Sequence, residues 1–317
     1  MGANQYTFSE LRCIVMTVIS SAPADVSIQA FVSHSIDTYP VKPLIKWAGG
    51  KRLIADELLR RFPEDWNKGT YVEPFIGGGA VFLHVAPSKA IIADVNARLY
   101  GFYLQVKNNP DELYEVILEL AMGFNETKQE LQKDAYLELR NIFNLSAVDS
   151  LESAAHLYAL NKLCFNGLYR ENSKGGFNVP FGQKRNLQVF SKEDLEEVSK
   201  VLQDTLILNS DFETTLGHVN AGDFVYLDPP YVPLDTTASF TSYHANGFGL
   251  KDQERLAEQM KMLSDSGAKV MCSNSDTPLT HEIFGSFNIQ AIQAPRMVSA
   301  KASGRGSVSE LVITSYL

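Results

Sequence analysis

Short apolar runs of strand length alternate along the chain with longer segments in which apolar residues recur at helical spacing. The strand-like runs are TYVEPF (70–75), AIIAD (90–94), LILN (206–209), DFVYLD (223–228), AKVMCSN (268–274), NIQAIQ (288–293) and SELVITSY (309–316). Helical periodicity is typical of DELYEVILEL (111–120) and KDQERLAEQMKMLSDSG (251–267). Strands that alternate with helices favour an α/β protein with a doubly wound, mainly parallel sheet.

In the middle of the chain this alternation gives way to a helical, polar pattern. There, RENSKGGFNVPFG (170–182) is rich in glycine and asparagine, which is typical of a hairpin or loop. We therefore predict a catalytic domain over 41–125 and 200–317, with a mainly helical domain inserted at 126–199. Residues 1–40 are interpreted as a poorly specified N-terminal extension.

The composition of the 317-residue chain, 45% hydrophobic and 21% charged, is that of an ordinary soluble globular protein. A net charge of −9 argues weakly against a nucleic-acid binder, since the local field matters more than the total. The three cysteines form no CxxC pair and the six histidines form no ligand cluster, so we predict reduced thiols, a cytoplasmic location and no metal. The apolar stretch 11–19 is too short to span a membrane and is interrupted by Arg12.

A glycine-rich turn follows the first strand-like run, in FIGGGAVF (75–82). Glycines at a strand-to-helix turn let the backbone approach a ligand that a Cβ atom would exclude. Asp94 ends the next strand 17 residues after Gly77, close to the offset of roughly 20 expected for an acid that binds a ribose diol. The form E-P-F-x-G-G-G suits an adenosyl ligand without a pyrophosphate. The other glycine-containing segment, WAGGKR (47–52), lacks the residue spacing of a phosphate-binding loop. A tight turn of any α/β protein is the alternative.

VYLDPPY (225–231) ends a buried strand with a carboxylate, two prolines and an aromatic ring, and proline cannot continue a sheet ladder. An exocyclic nucleobase amine is a poor nucleophile. Two acceptors aimed at its N–H bonds favour the pyramidal geometry that attacks a methyl group. Asp228 and the Pro229 carbonyl can supply these acceptors, Pro230 stiffens the loop, and Tyr231 offers a face on which an extruded base can stack. A purely structural Asp-Pro-Pro turn is the alternative.

Four motifs, in this order, resemble those of the Dam-type, alpha-group, DpnM-like DNA adenine-N6 methyltransferases: KWAGGK (46–51), EPFIGGGA (73–80), LCFNGLYRENSKGGFNVPFG (163–182) and VYLDPPY (225–231). FTSYHANGF (240–248), CSNS (272–275) and SGRGSVSELVITSY (303–316) extend the resemblance, which covers residues 42–316. It implies a seven-stranded, Rossmann-like fold of S-adenosylmethionine-dependent methyltransferases with an inserted, mainly helical target-recognition domain. It also implies methyl transfer from S-adenosylmethionine to N6 of an adenine extruded from double-stranded DNA, with GATC as the target.

The resemblance also implies roles for individual residues. Those expected at the cofactor are Trp47, Lys51, Phe75, Gly77, Gly79, Asp94, Asp211, Phe212 and Asp228. The catalytic residues are expected to be Asp228, Pro229, Pro230 and Tyr231. From the residues alone, Trp47 could equally be a core aromatic, Lys51 a solvated surface charge and Asp211 a helix cap.

The inserted region is then expected to recognise the target. The DNA contacts expected there are Phe165, Asn166, Leu168, Arg170, Asn172, Pro180 and Lys184. Arg170 can bond guanine O6 and N7, Asn166 can reach a base edge, and Phe165 can wedge into a base step. Glu171 is the only acid from 162 to 185, which makes the stretch locally basic, but an acid beside Arg170 indicates that part of the recognition code differs. A solvated Gly/Asn-rich loop is the alternative.

We expect a monomeric, cytoplasmic enzyme whose partners are double-stranded DNA and, in the same system, a cognate restriction endonuclease. The basic stretch RMVSAKASGRG (296–306) is interpreted either as a loop near DNA phosphates or as a plain surface hairpin. Two other functions stay open: the same chemistry on an RNA adenine or a protein glutamine, and a catalytically silent DNA-binding protein. The inserted region favours DNA, and the intact site residues favour an active enzyme.

Overall fold

The computed structural model describes residues 41–233, 248–295 and 307–317. The N-terminal extension 1–40, most of the FTSYHANGF motif and the basic stretch 296–306 lie outside these described residues. The described residues from 41 to 317 belong to one compact unit.

A seven-stranded sheet organises this unit, in the order β3-β2-β1-β4-β5-β7-β6. The strands are β1 (Tyr71–Glu73), β2 (Ala90–Ala93), β3 (Thr205–Leu208), β4 (Phe224–Leu227), β5 (Lys269–Ser275), β6 (Asn288–Pro295) and β7 (Ser307–Thr314). Strands β1 to β5 are parallel to one another, and β7 runs antiparallel to both β5 and β6. Each strand-like run of the sequence forms one of these strands, so the predicted seven-stranded, Rossmann-like methyltransferase fold is confirmed.

Helices cover the sheet and build the insertion. They are α1 (Ala55–Leu59), α2 (Ala80–Val85), α3 (Ala97–Asn108), α4 (Pro110–Glu126), α5 (Gln132–Leu145), α6 (Leu151–Leu163), α7 (Lys192–Leu202), α8 (Phe212–Leu216), α9 (Leu250–Asp265) and α10 (Pro278–Ile283), with short 3₁₀ turns at Gln129–Leu131 and Phe165–Gly167. Their starts follow from local chemistry: Asn96 caps α3, Ser150 caps α6, and Ser191 forms a capping box with Asp194 at α7. None of the helices in the described part of the chain is both long and apolar enough to cross a membrane.

Helix α6 is the centre of the inserted region. Every residue from Ser153 to Leu163 except Lys162 is buried, and the helix packs against α3, α4 and α5. A helix that is apolar on all sides must lie inside a bundle. The hairpin after it is anchored to the same core, because Phe177 and Val179 are buried and the Tyr136 hydroxyl donates a 2.7 Å hydrogen bond to the Val179 carbonyl. One apolar core therefore connects this bundle with the sheet, and the division at 126–199 stays a prediction.

The sheet also determines where a ligand can bind. From β1 the chain passes through α2 to β2 on one side, whereas β4 lies on the other side of β1. In open parallel sheets, ligands bind at the carboxyl ends of the strands where the order reverses in this way. The EPF–glycine turn follows β1, Asp94 follows β2, and the DPPY loop follows β4. All three motifs therefore meet at the carboxyl ends of these strands.

Two helical glycines provide a test of the packing. A Cβ atom at Gly101 of α3 would lie 2.2 Å from the Val148 carbonyl oxygen, whereas one at Gly123 of α4 would have no neighbour within 4 Å. We expect Gly101→Ala to lower the free energy of unfolding by about 1–3 kcal/mol through overpacking. Gly123→Ala should raise it by about 0.5–1 kcal/mol through helix propensity. Urea titration followed by circular dichroism measures both, and equal effects of one sign would contradict the packing described.

Candidate active site

A cavity of about 790 Å³ opens at the carboxyl ends of β1, β2 and β4. Its wall contains the predicted residues Trp47, Lys51, Phe75, Gly77, Asp94, Asp211, Phe212, Asp228, Pro229, Pro230 and Tyr231. Gly79 is the predicted cofactor residue that the wall does not include. It precedes α2 with φ of 70°, and a Cβ atom there would lie 2.8 Å from the Tyr103 hydroxyl, so packing and backbone conformation account for this glycine.

The glycine turn and Asp94 form one side of the cavity. Gly77 has φ of 48°, and a Cβ atom on it would lie 2.8 Å from the Trp47 ring, so the glycine permits the indole to lie against the turn. The Gly77 N–H donates to one oxygen of Asp94 at 3.2 Å, and the Asn96 N–H donates to the other at 2.9 Å. Burial raises the pKa of Asp94, and these two hydrogen bonds partly offset the rise. The carboxylate is therefore held in one orientation at the cavity wall.

Aromatic rings form another part of the cavity wall. The Phe75 ring lies 5.7 Å from that of Phe212 and 5.6 Å from that of Phe248, centroid to centroid. The Arg255 guanidinium lies over the Phe212 ring at 5.2 Å. Asp211 lines the cavity and also caps α8, because its side chain accepts the Thr214 N–H at 2.9 Å. The helix cap and the site residue, which were alternatives on sequence grounds, are thus compatible.

The centre of the cavity holds an ion pair. The Lys51 Nζ atom lies 2.9 Å from Asp228 Oδ1, and it also donates to the Gly49 carbonyl at 2.6 Å. Only 4% of Lys51 is exposed, so the interpretation of Lys51 as a solvated surface charge is wrong. Burial is the largest influence on the pKa of Asp228 and raises it, while the Lys51 ammonium lowers it. The lysine thus favours the ionised carboxylate in a place that otherwise disfavours charge.

Hydrogen bonds from three elements immobilise the loop that carries Asp228. The Tyr231 hydroxyl donates to Glu310 of β7 at 3.0 Å. The Gln253 amide of α9 donates to the Pro230 carbonyl at 2.7 Å and accepts from Asn274 of β5 at 3.0 Å. Sequence reasoning missed Gln253, Asn274 and Glu310 as supports. The polar CSNS run at the end of an apolar strand was the available signal, since buried polar side chains require partners.

Glu73 is a further carboxyl group of the cavity wall, and sequence reasoning did not single it out. It is 2% exposed, and the Tyr71 hydroxyl donates to it at 2.6 Å. Burial raises the pKa of Glu73 to about 8. Glu73 is therefore mainly protonated at neutral pH, whereas Asp228 is paired with the Lys51 cation.

The predicted DNA-contact residues divide into exposed and structural ones. Phe165 is 52% exposed, and Asn166, Arg170 and Lys184 are exposed as well. Asn166 adopts a left-handed conformation with φ of 57°, which asparagine tolerates better than most residues. The Arg170 Nε donates to the Asn178 side chain at 2.6 Å, which holds the guanidinium at the surface of the hairpin.

Three further predicted contacts have structural bonds of their own. The Asn172 side-chain oxygen accepts the N–H groups of Lys174 and Gly176, so it stabilises the hairpin turn. The Pro180 carbonyl accepts the Phe165 N–H at 2.9 Å. Leu168 is half-buried and packs against the core. The turn explains the residue type of Asn172 without a ligand, and packing explains that of Leu168, whereas a backbone carbonyl does not require proline at 180. Contact with DNA stays a prediction for all three.

The sheet order, the glycine turn, the acid after β2 and the carboxylate–proline loop after β4 define a Rossmann-like methyltransferase. The chain belongs to the D12 class of N6 adenine-specific DNA methyltransferases, whose family model matches residues 47–298. It is therefore an adenine-specific DNA methyltransferase, and DNA is its substrate.

Curated relatives agree with this assignment. The chain is 41% identical over 281 residues to the type II methyltransferase M1.LlaDCHI of Lactococcus lactis subsp. cremoris, covering 87% of this chain and 96% of the relative. It is 40% identical over 287 residues to the type II methyltransferase M.MjaIII of Methanocaldococcus jannaschii, covering 87% and 99%. It is 36% identical over 272 residues to a DNA adenine methylase of Vibrio cholerae, covering 86% and 95%.

Removal of the Lys51 charge should change the pH dependence of the reaction. If Asp228 acts as a carboxylate, activity is present above its pKa and is lost as the pH falls through that pKa. Lys51→Gln removes the group that lowers this pKa, so the acid limb of the kcat/KM profile should move to higher pH. The exposed Lys89 provides the control Lys89→Gln, because it precedes β2 at the amino-terminal end of the strand, away from the cavity. An unchanged acid limb in Lys51→Gln would show that Asp228 does not limit the reaction.

Proposed function

We propose that this enzyme transfers the methyl group of S-adenosylmethionine to N6 of an adenine that has been extruded from double-stranded DNA, within the target GATC. The observation that carries the proposal is the cavity itself, where the ion-paired Asp228 of the DPPY loop borders an adenosyl-sized space. We further propose that the enzyme acts as a cytoplasmic monomer and has a restriction endonuclease as the partner of its system.

The shape and lining of the cavity support S-adenosylmethionine as the donor. Its volume of about 790 Å³ lies in the range of small-molecule cofactor sites. Asp94 can accept hydrogen bonds from a ribose diol, and the aromatic end formed by Phe75 and Phe212 suits an adenine ring. Nothing in the glycine turn requires a pyrophosphate. When bound, the cofactor supplies an electrophilic methyl group on a sulfonium.

The DPPY loop supports transfer to an exocyclic amine. Asp228 and the Pro229 carbonyl are the acceptors that would bind the two N–H bonds of the target nitrogen and favour its pyramidal form. The hydrogen bonds through Gln253 and Glu310 keep this loop in place before the substrate arrives, so little orientation is lost on binding. Tyr231 supplies an aromatic face beside Asp228 for the extruded base.

The inserted region supports a duplex target. The exposed Phe165 and Asn166 lie in a short 3₁₀ turn directly before the hairpin that presents Arg170. An apolar wedge can fill the space left by an extruded base, and a guanidinium can read guanine in the major groove. The target GATC itself rests on the resemblance of this hairpin to the Dam-type enzymes.

Transfer of a labelled methyl group to unmethylated plasmid DNA tests the donor, the acceptor and the target together. We expect label in N6-methyladenine, and resistance of the plasmid to a nuclease that cuts GATC only when its adenine is unmethylated. Asp228→Ala should lower the rate by at least about 100-fold because the charge-stabilising acceptor is lost. Asp204→Asn, at an exposed carboxylate between α7 and β3, is the matched control with normal activity.

The other outcomes separate the parts of the proposal. Label in DNA without GATC protection would retain the chemistry and overturn the target. Binding of S-adenosylmethionine in a calorimeter without label in DNA would favour RNA or a protein glutamine as the acceptor. Absence of cofactor binding would favour a catalytically silent DNA-binding protein.

Arg170 and Lys184 should have different effects on recognition. Arg170→Ala should cost about 1–3 kcal/mol of discrimination at one base pair of the target, since a base-edge contact is lost. Lys184→Ala should weaken binding to all sequences alike. It should also reduce the slope of the logarithm of the binding constant against the logarithm of the salt concentration by about one unit. Fluorescence anisotropy with single-substitution duplexes at several salt concentrations measures both effects, and a uniform loss in Arg170→Ala would contradict base reading.

A further inference from the structure

Trp47 contacts both the cofactor cavity and the recognition hairpin. It lines the cavity, and its ring stacks on Tyr169 with 5.2 Å between centroids and 26° between planes. Tyr169 lies between Leu168 and Arg170, two of the residues proposed to contact DNA. A side chain at the wall of one site is thus packed directly against the segment that forms the other site.

The Tyr169 ring is held at its hydroxyl end as well. The hydroxyl donates a hydrogen bond to the Glu171 carboxylate. Tyr169 is therefore held at both ends, by the stack on Trp47 and by the bond to Glu171, and Glu171 has a role in holding the ring in that position.

A second set of bonds joins the same two segments. The side chain of Asn161 in α6 accepts the Lys46 N–H at 2.8 Å and donates to the Lys46 carbonyl at 2.7 Å and the Gly167 carbonyl at 3.3 Å. Lys162 donates to the Leu44 carbonyl at 2.8 Å. Asn161 is 3% exposed, so these bonds are sheltered from water. The backbone before Trp47 is consequently fixed to the recognition segment, and the Trp47–Tyr169 stack is the contact that can respond to an occupied cavity.

We propose that Tyr169 is a positioning residue that couples cofactor binding to DNA recognition through its stack on Trp47. A cofactor in the cavity restricts Trp47, the stack restricts Tyr169, and the hairpin that carries Arg170 is ordered before it meets DNA. Because coupling between two binding sites is reciprocal, target DNA tightens cofactor binding by the same factor. This inference rests on the proposed function, since it assumes an adenosyl ligand in the cavity and DNA at the hairpin.

The coupling is measured as the ratio of the Kd of S-adenosylhomocysteine without and with a short duplex that carries one GATC site. We expect a ratio of about 10 for the native enzyme, within the usual range for coupled sites. Tyr169→Leu removes the ring and should bring the ratio to about 1–2, whereas Tyr169→Phe keeps the ring and should retain most of the coupling. Tyr169→Met serves as a second ringless variant if Tyr169→Leu does not fold.

Hydrogen exchange supplies a measurement that loss of stability alone would not reproduce. S-adenosylhomocysteine without DNA should slow amide exchange over residues 165–182 in the native enzyme and in Tyr169→Phe, but not in Tyr169→Leu. Tyr114→Leu is the matched control, because Tyr114 is also half-buried and stacks on Phe190 with 6.2 Å between centroids, without lining the cavity. It should leave both the ratio and the exchange response unchanged.

The outcomes distinguish this inference from the proposed function. A native enzyme that binds S-adenosylhomocysteine and methylates GATC but shows a ratio near 1 would overturn the coupling and leave the function intact. An equal ratio in Tyr169→Leu and the native enzyme would overturn the role of Tyr169. A native enzyme that binds neither ligand would overturn the proposed function first, and this inference with it.

Discussion

The pairing of Lys51 with Asp228 is the interaction on which the active site depends. Asp228 directly follows β4, whose four residues are all buried, so its carboxylate lies at the edge of an apolar interior. Such a position raises the pKa of a carboxyl group, and a buried charge without a partner is costly. The Lys51 ammonium, 2.9 Å away, stabilises the ionised carboxylate, which is the form that the proposed mechanism needs as an acceptor for the amine. The cation comes from a segment more than 170 residues earlier in the chain, so the site exists only when the segment 44–51 is docked on the sheet.

That docking explains why the segment before α1 matters although it forms no strand or helix of its own. It contributes Lys51 to the ion pair and Trp47 to the cavity wall, and its backbone is bonded to Asn161 in the inserted bundle. The same stretch therefore borders the cavity to which we assign catalysis and supports the hairpin 170–182 to which we assign target recognition. A methyltransferase that must modify one base of one sequence needs these two tasks to proceed together, and a shared segment is a simple physical means of linking them.

Two of the carboxyl groups in the cavity wall, Asp228 and Glu73, are in different electrostatic situations. Asp228 has a cation beside it, whereas Glu73 lies deeper, accepts the Tyr71 hydroxyl, and has its pKa raised to about 8. Two adjacent anions would repel each other in this environment. A mainly protonated Glu73 avoids that repulsion and leaves the negative charge on Asp228, the carboxylate that we propose to face the target nitrogen.

The sequence by itself determined the order of strands and helices, because apolar periodicity is a local property that the finished sheet retains. It also placed Asp94, Gly77 and Asp228 at the same end of the sheet, since the carboxyl ends of parallel strands lie together. Tertiary structure alone decided that Gly77 borders the cavity, whereas Gly79 accommodates the Tyr103 hydroxyl. It likewise decided the protonation of Glu73 and the contact between Trp47 and Tyr169. Burial, and contacts such as the Trp47–Tyr169 stack between residues more than a hundred positions apart, leave no local pattern in the sequence, so these features arise only when the chain is folded.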